Sequence, residues 1–104
     1  MQNNKIEYSY LLDAYGELLT GHQKDILNEY LNEDLSMTEI AENYKISKSA
    51  VQDLIKRSID QLINYEKSLN LVKKEKELNK IIDGMKKQKN KVLDKYIKKL
   101  EKIK

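Results

Sequence analysis

The chain has no cysteine, proline, tryptophan or phenylalanine, and only three glycines in 104 residues. Each absence removes a class of answer. Without cysteine there is no disulfide framework and no thiolate metal site, which fits a reducing interior. Without proline, and with glycine only at positions 16, 21 and 84, sharp turns are few. Those isolated glycines match neither a phosphate-cradling loop nor a dinucleotide fingerprint. No uncharged apolar run approaches the roughly 20 residues a bilayer span needs, and the opening MQNNKIEYSYLLDAY has neither a basic nor an apolar leader region. The expectation is a soluble cytoplasmic protein that does not insert into membranes. His22, the one histidine, has no cysteine or clustered carboxylates beside it and is expected to serve the surface or the packing, not a metal. Glu33 and Asp34 are expected in a solvated loop, with nothing near them to tune an acid–base pair. No enzyme, cofactor, metal site or small-molecule substrate is expected.

What remains is dominated by Lys, Leu, Ile, Glu and Asn, the composition of an all-α chain, and its length suits one small module plus an arm. The formal charge of +3 hides an asymmetry. Residues 1–70 carry seven basic and twelve acidic side chains, whereas residues 71–104 carry thirteen and five. The acidic part is expected to be the globular domain, 1–70, and the basic part a helical arm, 71–104.

Ile6, Tyr10, Leu11, Ala14 and Leu18 recur at helical spacing and predict a first amphipathic helix over about residues 5–19. Thr20 with Gln23, and Ser36 with Glu39, have the spacing of capping boxes, and predict helices starting beside them. Ser47 predicts a further start, opening a longer helix toward Tyr65 on Val51, Leu54, Ile55, Ile59, Leu62 and Ile63. Asn70 is positioned to cap a further helix. The tail keeps a narrow apolar stripe between lysines and glutamates; Gly84 either divides it into two helices that turn back or sits inside one long helix. Among the tyrosines, Tyr10, Tyr30 and Tyr44 are expected on apolar faces, with the hydroxyl at the rim.

A helix-turn-helix needs a small residue where its helices cross, apolar residues just before and three after it, one in the turn, and two on the inner face of the second helix. Ile40, Ala41, Tyr44, Ile46, Val51 and Leu54 fill these positions. Lys48, Ser49, Gln52, Asp53 and Lys56 are then left outward, with Arg57 near the edge. Gln52 suits the adenine edge, Ser49 a base or phosphate, and Lys48, Lys56 and Arg57 the backbone. Asp53 opposes this grip, and so few cations predict weak, salt-sensitive binding.

The stretch LLTGHQKDILNEYLNEDLSMTEIAENYKISKSAVQDLIKRSIDQL, Leu18 to Leu62, resembles region four of bacterial sigma factors, their C-terminal promoter-reading domain. With its flanks YSYLLDAYGELLT and QLINYEKSLNL, the chain from about residue 6 to 72 is similar to the YlxM-like helix-turn-helix proteins; the basic tail matches them in character only. The resemblance implies an all-α helix-turn-helix bundle and a DNA-binding regulatory role. It also implies a link to the signal recognition particle pathway, because the family's gene commonly neighbours that particle's GTPase gene. DNA is the expected partner. The alternative is a protein- or RNA-binding adaptor of that pathway, with RNA or signal recognition particle components as partners. Two positions depart from the related pattern: Gly21 stands where proline commonly follows the capping threonine, and Lys45 where the turn often has glycine. The stripe Leu78, Ile82, Met85, Val92, Tyr96 and Ile103 needs a partner surface, either the same stripe of a second copy or the chain's own first helix in a monomer; the homodimer is the expectation.

Overall fold

A computed structural model describes residues 4–103, which form six α-helices and, among the described residues, no strand. They are α1 (Lys5–Tyr15), α2 (Gly21–Leu31), α3 (Met37–Tyr44), α4 (Lys48–Leu69), α5 (Leu71–Lys86) and α6 (Lys91–Ile103). The chain gathers into two compact units that divide between Asn70 and Leu71.

The starts of α2, α3 and α4 follow side-chain caps, whereas α1 starts without one. The Thr20 side chain accepts from the Gln23 amide at 3.2 Å while Gln23 Oε1 accepts from the Thr20 amide at 3.1 Å. Ser36 and Glu39 repeat the exchange at 3.1 Å each way. Each box satisfies two of the amides a helix start leaves without a partner. Within this unit α4 packs against α1, α2 and α3. Its Val51, Ile55 and Leu62 are fully buried with Ile26, Leu27 and Ile40, each such side chain contributing about 1.5–3 kcal/mol relative to exposure. Ser58 is buried among them, and its hydroxyl donates to the Leu54 carbonyl at 2.7 Å, so among the described residues no buried side-chain polar atom is stranded. At the far end of α4, the buried Tyr15 donates to Glu66 Oε1 at 2.5 Å and lies 5.9 Å from the Tyr65 ring, tying α1 to α4.

The first helix differs from its expectation. The α-helix ends at Tyr15 and a 3-10 turn, Gly16–Leu18, follows. The buried residues are Leu11, Leu12, Tyr15 and Leu19, whereas Ile6, Tyr10 and Leu18 are 70%, 48% and 56% exposed and Ala14 is exposed as well. The helix carries apolar residues on two opposite faces, and periodicity alone does not say which one meets the core. Packing against α2 and α4 makes the choice, and Lys5 adds to it at the helix start, lying 4.2 Å from the centre of the Tyr30 ring and pairing with Asp34 at 3.1 Å. Tyr30 and Tyr44 are half-buried as expected; Tyr10 is not.

In the second unit α5 and α6 pack on each other, burying Ile82 and Ile97. Lys86 and Glu101 pair at 2.7 Å across them. The break falls after Lys86, not at Gly84, which lies inside α5. Lys89 turns the chain with φ 51°, and Asn90 starts α6 by accepting from the Val92 amide at 2.8 Å. Asn70 also adopts the left-handed conformation and ends α4, its amide donating to the Glu66 carbonyl at 2.8 Å. The stripe expected to pair two chains is therefore split. Ile82 is taken up inside the hairpin, while Val92, Tyr96 and Ile103 are 65%, 54% and 80% exposed.

Candidate nucleic-acid interface

The helices α3 and α4 pack on each other, Ala41 is buried beside Ile40, and the turn between them is set by hydrogen bonds that the sequence does not advertise. The Ile46 amide donates to the Ala41 carbonyl at 3.1 Å and the Lys45 amide to the Glu42 carbonyl at 3.3 Å. This pair of bonds is a Schellman motif, which requires a left-handed residue just past the helix. Lys45 takes that role with φ 55°, ψ 44°. Ile46 turns back to be half-buried, and Ser47 restarts the helix by accepting from the Ala50 amide at 3.0 Å.

With Val51 and Ile55 fully buried and Leu54 half-buried, the pitch of α4 points the opposite face to solvent. Lys48, Ser49, Gln52 and Lys56 are all exposed there, and helical spacing puts Gln52 between the two lysines. Ser49 Oγ lies 3.3 Å from Ser47 Oγ at the helix start, where the backbone amides and the helix dipole favour an anion. Arg57 is exposed but not free. Its Nε is held 3.0 Å from Asp53 Oδ2, so the acid expected to oppose binding cancels the arginine expected to help. An (i, i+4) carboxylate and arginine are neighbours on any helix, so this pairing was legible in the spacing. Lys48 and Lys56 make no ion pair among the described residues. Ala50, which no motif spacing singles out, is exposed near the start of α4, where its methyl is a fit for a thymine methyl.

Contacts between α2 and α3 hold the turn from behind. The Tyr44 hydroxyl donates to Glu29, and the His22 ring meets the Tyr44 ring edge-on with centroids 5.5 Å apart. The Glu29 hydrogen bond first, then burial and the nearby carboxylates of Glu29, Asp25 and Glu33, push the Tyr44 hydroxyl up to about 12. His22 is exposed and lends its ring to Tyr44 from the surface. No group of three or more His, Cys, Asp or Glu side chains able to hold a metal occurs among the described residues. No helix there is long and apolar enough to cross a membrane.

Six helices, a glycine-free Schellman turn and an outward face on the helix that follows it define an all-α helix-turn-helix protein. The chain belongs to the UPF0122 family, whose profile, described as "Putative helix-turn-helix protein, YlxM / p13 like", matches residues 2–103. It is 44% identical over 99 residues to a UPF0122 protein of Clostridium kluyveri, covering 88% of this chain and 89% of that one. It is 45% identical over 98 residues to a UPF0122 protein of Clostridium perfringens strain 13, covering 92% and 88% of the two chains. A third relative, from Clostridium novyi, is 48% identical over 77 residues, covering 74% of this chain and 67% of its own.

Proposed function

We propose that this protein is a cytoplasmic DNA-binding regulator whose α4 enters the major groove, two chains acting together on paired half-sites. The observation that carries the reading is the capped, outward face of α4, on which Gln52 is flanked by Lys48 and Lys56 while the opposite face is fixed in the core. Gln52 reads the adenine edge, Ser49 and the helix start take a phosphate, and the lysines hold the backbone on either side. With Arg57 held by Asp53, only Lys48 and Lys56 neutralise phosphates from the outward face beside Gln52, so one module grips weakly and a pair of them is needed. The protein acts by binding, not by catalysis, and its link to the signal recognition particle pathway rests on the family resemblance.

One observation favours a second reading. In a helix-turn-helix the first helix crosses the phosphate backbone, and here the exposed residues of α3 include Glu39 and Glu42. Such an acidic surface suits a protein-binding adaptor of the same pathway without sequence-specific DNA binding, with any RNA taken by the basic residues 71–104 instead. Duplex binding measured against salt separates the two. The regulator reading expects a selected duplex to be bound with a steep salt dependence, Gln52→Ala to change sequence preference, and Lys56→Ala to weaken all sequences alike while lowering the salt slope by about 1. If no duplex from a random pool is enriched, or neither substitution alters duplex binding, the adaptor reading stands instead.

A further inference from the structure

Two apolar stripes are exposed in the single chain, and their charge borders are opposite. On α1, Ile6 and Tyr10 are 70% and 48% exposed and Ala14 is exposed beside them, on the side of the helix away from the buried Leu12 and Tyr15. Asp13 and Glu7 stand on either side of this stripe, in the unit with twelve acids against seven bases. On α6, Val92, Tyr96 and Ile103 are 65%, 54% and 80% exposed. Lys95 and Lys99 border that stripe, with the Lys99 ammonium 5.6 Å from the centre of the Tyr96 ring, in the unit with thirteen bases against five acids. At 1.5 Å per residue, the first stripe runs about 12 Å and the second about 16 Å, so one can lie along the other.

We propose that the two stripes cover each other between chains: α6 of each copy packs on α1 of the other, giving a two-fold dimer with two identical α1–α6 contacts. A reciprocal contact of this kind closes, because both patches of both chains are used. Charge decides the occupant. Pairing hairpin against hairpin through Val92 and Tyr96 would bring two strongly basic units together, whereas α1 offers apolar residues of matching spacing with an acidic border. The proposal rests on the paired state put forward above and specifies its surfaces; it does not depend on what α4 binds.

Sedimentation equilibrium of the intact chain at micromolar concentration, without nucleic acid, tests it. Tyr10→Asp and Tyr96→Asp change exposed side chains, so each variant should keep wild-type helicity, and each should weaken the dimer about tenfold or more. An equimolar mixture of the two should dimerise better than either alone, because the mixed pair retains one unaltered α1–α6 contact. As the chain has no native cysteine, Tyr10→Cys and Tyr96→Cys copies provide a second readout. A short bis-maleimide should join the two variants when mixed, and neither to itself. A monomeric wild-type chain overturns the proposal. Loss of the dimer by Tyr96→Asp alone, with Tyr10→Asp silent and no rescue on mixing, also overturns it, in favour of hairpin-to-hairpin pairing. A dimer insensitive to both substitutions overturns it too. Loss of duplex binding on Gln52→Ala with the dimer intact bears on the DNA reading alone.

Discussion

Replacing Lys45 with glycine should make this protein more stable, although it removes a long side chain and adds nothing. The residue sits at φ 55°, ψ 44°, and both amides at the turn depend on that conformation for their bonds to Ala41 and Glu42. For a residue with a Cβ, the left-handed conformation costs about 1–2 kcal/mol. Glycine removes that strain but loses more backbone freedom on folding, which offsets about 0.5–1 kcal/mol of the gain. The net gain is about 0.5–1 kcal/mol, or a rise in Tm of about 2–8 °C for a domain of this size. Thermal and urea unfolding followed by far-UV circular dichroism measure it, with Lys45→Ala as the control. Alanine deletes the same side chain and charge but keeps the strain, so it should gain nothing. If the glycine variant proves no more stable than the alanine variant, the turn is not storing strain and the reasoning fails. Asp34 and Asn70 are also left-handed, at φ 57° and 54°, but their short polar side chains tolerate the conformation, so the same gain is not expected there.

Ser47→Ala should cost about 1 kcal/mol, because the Ala50 amide at the start of α4 loses its acceptor; urea titration with an unchanged m-value checks it. Gly21→Pro should stabilise by about 0.5–1 kcal/mol, since position 21 opens α2, Thr20 before it is already extended at φ −64°, ψ 156°, and nothing lies within 4 Å of an added Cβ; a fall in Tm would contradict this. Tyr44 is raised in the folded state from 10.0 to about 12, so its contribution is complete below pH 10 and is lost as pH rises toward 12. Stability measured across that window should fall, and Tyr44→Phe should flatten the fall. Asp53→Asn should release Arg57 and remove a repelling charge, tightening binding to any duplex the protein recognises and steepening its salt slope by about 1; unchanged affinity would show that Arg57 does not reach the phosphates.

The sequence by itself determined where α2, α3 and α4 begin, because a capping serine or threonine acts on amides two or three residues away and needs no tertiary partner. It also determined the burial of Ala41 and the outward face of α4, since a fixed pitch converts spacing into direction once Val51, Leu54 and Ile55 are assigned to the core. The tertiary structure alone decided which face of α1 is inside. That helix carries apolar residues on both sides, and only packing against α2 and α4 selects Leu11, Leu12 and Tyr15 over Ile6, Tyr10 and Ala14. It alone placed the hairpin's turn at residues 87–90, where no glycine or proline marks it, between the helices that carry the buried Ile82 and Ile97. Lys45 shows both sides. A lysine is a poor left-handed residue, and its conformation is imposed by the burial of Ala41 and Ile46 around it, a cost the local sequence disfavours and the fold overrides.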